Sequence, residues 1–235
     1  MHAPRSQQRS INGFFGAIVS CLAASAFGLD LAAVSNHDAA IGIRGALDQG
    51  AASAVAKLGV PGGFLDNPKV KIPLPPALDQ VAKGMRMLGK GKEADELVVA
   101  MNRAAEQAVP QARELLVDAV KSMTLTDAKA ILTGGDESVT QFFRAKTSAP
   151  LAAKFLPIVK QATLRVGLAQ KYDQLAGEGV KFGLVKSDAA NIEQYVTDKA
   201  LDGLYFMIGQ EEREIRQHPA EATSAIVTKV FESLH

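Results

Sequence analysis

Between Asn102 and Ala162 apolar residues recur every three or four positions, and the segments that carry them are separated by breaks of only a few residues. That spacing is the period of an amphipathic helix. The stretch therefore strings four or five helices together on short tethers. It also holds most of the polar residues that stand close to apolar stripes. The residues before it read as an export signal, an entry helix and a proline-rich arm. The residues after it read as helices packing back onto it. Runs of alternating β-branched residues, the mark of strands, are nearly absent. Ala, Leu, Lys, Glu and Gln dominate outside the loops and favour helix. An apolar content of 47% suffices for a sizeable core in a chain of 235 residues. The fold class expected is all-α: a single compact multi-helix bundle over residues 27–235, with an extended Pro-rich arm at about 61–76 after the first helix.

The punctuation gives the elements. Ser35 or Asn36 can cap a first helix whose stripe is Ala40, Ile43, Leu47, Ala51, Ala54, Val55 and Leu58. Gly42, Gly45 and Gly50 weaken that helix and suggest close approach of a neighbour. Gly59 and Pro61-Gly62-Gly63 end it. The next residues carry Pro68, Pro73, Pro75 and Pro76, which fix φ and remove donors, so they predict extended, polyproline-like chain. Phe64, Leu65, Val70, Ile72 and Leu74 make this arm too apolar to float, so it should lie on the helical body. Short helices are expected around Leu78–Leu88, Ala94–Ala108 and Ala112–Met123, the last two divided by Pro110. Thr124 and Asp127 form a capping box pattern, and Gly134-Gly135 closes the helix it opens. Asp136 is placed to cap the next helix, and Ser148 with Pro150 to open another that Pro157 kinks. Gly177–Gly183 reads as a loop. The last strong helix starts at Asp188 or Asn191 and carries Ile192, Val196, Ala200, Leu204, Met207, Ile208 and Ile215, until Pro219 stops it.

The N-terminus has the order of a secretory signal. Arg5 and Arg9 supply the positive region, residues 14–24 the apolar run, and Ala24-Ser-Ala26 the small-residue cleavage site. The apolar run is too short for a membrane span of about 20 residues, and no later window reaches that length. Residues 1–26 are thus expected to be removed as a signal peptide, placing the protein in the periplasm. Ile18-Val-Ser-Cys21 also has the form of a lipobox, which would make Cys21 an acylated first residue and the protein a lipid-anchored one. Cys21 is the one cysteine, so cleavage after Ala26 excludes disulfides. Removal of the leader leaves 24 basic against 25 acidic residues, a formal charge of about −1. A near-neutral chain has no electrostatic field for nucleic acid.

Several chemistries lack their residues. His2, His37, His218 and His235 have no zinc-ligand spacing. There is no GxSxG elbow, phosphate-binding loop, calcium loop or dinucleotide fingerprint. No cofactor or metal is called for, and no catalytic residue stands out. Three polar groupings remain, all on helices. The first is Asn102, Arg103 and Glu106. The second is Thr140, Gln141, Arg144 and Thr147 around Phe142-Phe143. The third is Tyr195, Asp198, Lys199, Asp202 and Tyr205. In the third, Asp198 and Asp202 are like charges one turn apart, which a cation such as Arg103 or Arg144 would neutralise. One reading is a structural network of ion pairs between helices. Another is a polar binding cleft drawn from Asn102, Arg103, Glu106, Thr140, Arg144, Tyr195, Asp198, Lys199 and Asp202. A third is a carboxylate acid/base site using Glu106, Asp198 and Asp202, as in a hydrolase or lyase. Glu211, Glu212, Arg213, Glu214 and Arg216 read as a solvated face.

Taken together, Gly62-Gly-Phe-Leu-Asp-Asn-Pro68, Ile72-Pro-Leu-Pro-Pro76, Asn102-Arg-Ala-Ala-Glu106, Met123-Thr124, Asp127-Ala-Lys-Ala-Ile-Leu-Thr-Gly-Gly135, Thr140-Gln-Phe-Phe-Arg144, Lys171-Tyr172, Tyr195-Val-Thr-Asp-Lys-Ala-Leu-Asp-Gly-Leu204 and Glu211-Glu212 with Ile215-Arg216 resemble the bacterial domain-of-unknown-function family 4197. The resemblance runs over about residues 36–231. It departs at Tyr205, where Phe would be expected as often. It implies an exported protein of Gram-negative bacteria with a mostly helical fold, and it carries no activity across. The function expected is a non-enzymatic binding or scaffolding domain of the cell envelope, whose partner is an envelope protein or a small ligand.

Overall fold

The computed structural model describes residues 36–89, 91–165, 168–181 and 192–218. Eight α-helices succeed one another among the described residues: α1 Asn36–Leu58, α2 Pro76–Met87, α3 Lys92–Ala108, α4 Ala112–Lys121, α5 Leu125–Thr133, α6 Ser138–Arg165, α7 Leu168–Lys181 and α8 Ile192–Gln217. A single 3-10 turn at Val109–Gln111 joins α3 to α4, where Pro110 removes a donor. No strand occurs among the described residues, and helix accounts for well over half of them. The fold is all-α. The expected leader, with Cys21, and the residues from Pro219 onward lie outside the described residues.

α3, α6 and α8 pack on one another in the centre, α1 closes against α8, α4 and α5, and α7 lies between α3 and α2. The buried apolar residues make one continuous cluster. Its largest fully buried side chains include Phe64, Phe143, Phe155 and Tyr205. The stripe read for α1 is buried throughout, from Ala40 to Leu58. Close approach holds at Gly50, where an added Cβ would sit 3.5 Å from Glu211 Cβ on α8; Gly45 is exposed instead. Among the described residues, no helix is long and apolar enough to cross a membrane.

The arm lies on the body, and Phe64, Val70, Ile72 and Leu74 are buried. Only its second half is extended, however. Residues 61–66 and 68–70 are wound in turns, started by Gly62 at a φ of +92°, a conformation glycine adopts without strain. Other boundaries also differ. Ser148 and Pro150 do not open a new helix, because α6 runs unbroken through Pro150 and Pro157. The Ser148 hydroxyl donates to the Arg144 carbonyl and that of Thr147 to the Phe143 carbonyl, one turn back in each case, just ahead of the first proline. Residues 177–181, read as loop, continue α7. Leu88, the last apolar residue of the short helix expected from Leu78, is 69% exposed just past the end of α2.

Asp136 does not cap α6. That helix starts at Ser138, and the N–H groups of Val139 and Thr140 donate to Glu212 of α8 at 3.0 and 3.2 Å. Glu212 is 4% exposed, so the solvated face expected there is corrected. Its carboxylate also accepts from Arg216 Nε at 3.2 Å, and Arg216 Nη2 donates onward to the Ile131 carbonyl and to Ser138 Oγ. A carboxylate from another helix thus meets the positive end of the α6 dipole and joins the end of α5 to the start of α6.

Candidate functional site

Of the nine residues singled out from the sequence, four gather at the arm and three line a groove between α6 and α8. Asn102 and Glu106 stand one turn apart on α3 and both face the arm. Asn102 is fully buried. Its Oδ1 accepts from the Ile72 N–H at 2.8 Å, and its Nδ2 donates to the Ile72 carbonyl at 2.9 Å and the Val98 carbonyl at 2.8 Å. This side chain pairs with extended backbone as a neighbouring strand would. Glu106 is 4% exposed. The N–H groups of Gly62, Phe64 and Leu65 each donate to its Oε1 at 3.1 Å. Arg103 Nη1 donates to its Oε2 at 2.6 Å. The turns of residues 61–66 aim those three donors at one point, and a carboxylate fills it. Tyr195 on α8 belongs with this group: its hydroxyl donates to the Pro73 carbonyl at 3.0 Å, and burial pushes its pKa up.

Thr140, Arg144 and Asp202 stand around a groove of about 380 Å³ between α6 and α8, whose lining does not include Asp198 or Lys199. Thr140, Gln141 and Arg144 line it from α6, and Asp202, Tyr205, Phe206, Gly209 and Arg213 from α8. The Arg144 guanidinium lies 4.6 Å over the Tyr205 ring. It reaches Asp202 Oδ1 at 3.5 Å, and Lys199 Nζ approaches Asp202 Oδ2 at 3.4 Å. Tyr205 is held from beneath. Thr147 donates its single proton to the Phe143 carbonyl at 2.6 Å, so the Tyr205 hydroxyl donates to Thr147 Oγ1 at 2.9 Å. Phe206 remains 37% exposed at the groove.

The network expected of Arg103, Arg144, Asp198 and Asp202 therefore does not form as one unit. Arg103 is engaged by Glu106. Asp198 is exposed and accepts from Gln194 Nε2 at 2.8 Å. Arg144 and Asp202 do meet, but each side chain is about half exposed. The carboxylates of Glu106, Asp198 and Asp202 do not share a pocket among the described residues, because Glu106 is filled by the arm. The sequence places Glu212 and Arg216 one helical turn apart, but reading them as a solvated face missed that the pair is buried against the start of α6. Its signal was positional: Glu212 lies four residues after Ile208 and three before Ile215, in the gap of the α8 stripe. Among the described residues no three His, Cys, Asp or Glu side chains converge as they would around a metal.

A family model described as a protein of unknown function, DUF4197, matches residues 33–232. No curated protein and no solved structure matches. The match takes in the arm, both buried carboxylates and the α6–α8 groove, and the chain belongs to the DUF4197 family.

Proposed function

We propose that this protein is exported to the bacterial cell envelope and acts there by binding a protein partner, with the α6–α8 groove as its contact surface. The observation that carries this reading is the half-exposed Arg144 stacked on Tyr205 beside the exposed Phe206. Arginine and aromatic side chains dominate binding energy where they are held rigid before contact. Tyr205 is fixed by its bond to Thr147, and Arg144 is fixed by the ring and by Asp202. The groove is also concave without being deep, and its rim carries both signs of charge. The hydrolase or lyase reading draws no support from the geometry, since Glu106 is taken up by four donors and the two aspartates face water. Export rests on the order of charge, apolar run and small residues in the leader.

Two measurements test the reading. The intact mass of the exported chain is expected to begin after Ala26. A diacylated chain beginning at Cys21 would make it a lipoprotein, and an unprocessed chain would sink export by this leader. A photo-crosslinking residue at Gln141 or Phe206 in living cells is expected to capture a discrete partner, and Arg144→Ala should abolish capture. The same residue at Leu125, exposed on α5, is the control. Equal capture from Leu125, or capture indifferent to Arg144→Ala, would remove the groove from consideration.

A further inference from the structure

Lys92, Glu96, Val99 and Arg103 recur along α3 at intervals of four, three and four, so they stand on one face of that helix. This face runs about 16 Å at 1.5 Å per residue. It forms the floor of a groove of about 680 Å³, walled by Arg86 and Gly89 at the end of α2 and by Lys171 of α7. Val99 is 42% exposed on the floor, while Met87 and Leu88, 87% and 69% exposed, follow Arg86 in the chain outside the groove's lining.

The charges around this floor are unequal. Four cations line it, Arg86, Lys92, Arg103 and Lys171, against the two carboxylates of Asp95 and Glu96. Arg86 is matched by Asp95 at 2.6 Å, and Arg103 by the buried Glu106. Glu96 has to serve both Lys171, which it contacts closely, and Lys92, at 3.8 Å. The bond from Lys171 holds the Glu96 carboxyl below its ordinary pKa, so Glu96 stays charged and engaged there. Among the described residues one positive charge is left over at the Lys92 end, where the side chain is 85% exposed.

We propose that this groove binds a single-chain anionic amphiphile, with the apolar chain along Val99 and Ala100 and the anionic head at Lys92. The volume of about 680 Å³ lies within the range of about 300–1,000 Å³ that small-molecule sites occupy. The excess cation selects the sign of the head group, and Val99 with the aliphatic stems of the lining Lys and Arg residues offers apolar contact to a chain. No residue is shared with the α6–α8 groove, so each reading stands or falls alone.

The test is calorimetric titration of the mature protein with dodecanoate, dodecanol and dodecyltrimethylammonium, each below its aggregation concentration. Saturable one-to-one binding is expected for dodecanoate, weaker binding for the alcohol and none for the cation. Val99→Asp places a carboxylate on the floor at an exposed position, and Lys92→Glu reverses the excess charge. Each should weaken dodecanoate by about tenfold or more, the size of one lost charge-assisted contact, while circular dichroism melting curves stay at the wild-type midpoint. Equal binding of all three probes would overturn the proposal. So would affinity unchanged in both variants, or heat that appears only with anionic vesicles and never with monomeric dodecanoate.

Discussion

Two acidic residues that look alike in sequence have opposite standing in the fold. Glu106 accepts three backbone N–H groups and Arg103, so Glu106→Ala leaves those donors and a half-covered guanidinium without a partner. The expected loss is about 3 kcal/mol. Asp198 faces water with Gln194 as its contact, and Asp198→Ala should stay within about 0.5 kcal/mol of wild type. Urea midpoints of the two variants decide both. A neutral Glu106→Ala would mean that the arm is not held by this carboxylate. Asp127 supplies a pH dependence. The Thr124 N–H and hydroxyl donate to its carboxylate at 3.0 and 2.8 Å, backbone bond first in effect, and hold its pKa below the ordinary aspartate value. A carboxyl depressed on folding adds stability above its unfolded pKa of about 3.9 and loses it as pH falls through the lower folded value. The side chain is 24% exposed and the pair stands at the surface end of α5, so the contribution is at most about 1 kcal/mol. The margin of wild type over Asp127→Asn should therefore be present at pH 7 and shrink below about pH 4. A margin that grows on acidification would contradict the capping role.

Among elements, α8 is the one most exactingly fitted to its neighbours. It receives the arm on one side and α6 on the other. At Gly203 an added Cβ would lie 2.6 Å from Phe64 Cε1, 3.2 Å from Phe64 Cζ and 3.3 Å from Val70 Cβ. Phe64 is fully buried, so its ring cannot swing aside cheaply. Gly203→Ala gains helix propensity of up to about 1 kcal/mol but overpacks the arm by about 1–3 kcal/mol. The net expectation is a loss of stability, read from the thermal midpoint. A stabilised Gly203→Ala would show that the arm can retreat from α8.

Across the whole fold, the arm is a segment without its own helix or sheet partner that is clasped by two helices distant in sequence. α3 supplies Asn102 and Glu106, and α8 supplies Tyr195 and the bare backbone at Gly203. If both helices hold one unit, then releasing it from α3 removes the clash on α8. Glu106→Ala combined with Gly203→Ala should thus cost less than the two separate losses together. The shortfall should be about 1 kcal/mol, within the range found for residues that share a partner. Simple additivity in denaturant midpoints would mean that the two ends of the arm are held independently.

The all-α class and nearly every buried stripe were legible in the chain itself, because a period of three to four residues is local and needs no partner to be seen. So were the capping box at Thr124 and the docking of the arm, since a run as apolar as Phe64 to Leu74 has to be covered. The break at Ser148 and Pro150 was misread, because a proline is locally a start signal, while packing along α8 keeps α6 continuous through both prolines. Glu212 was placed in water, although the residue fills a gap in an apolar stripe. Helix packing is what brings the N–H groups at the start of α6 to that carboxylate. The polar groupings were legible as residues but not as sites. Whether a carboxylate meets three backbone donors, as Glu106 does, or only half-exposed cations, as Asp202 does with Arg144 and Lys199, depends on which segments fold against its helix, and the spacing of residues along one helix does not encode that.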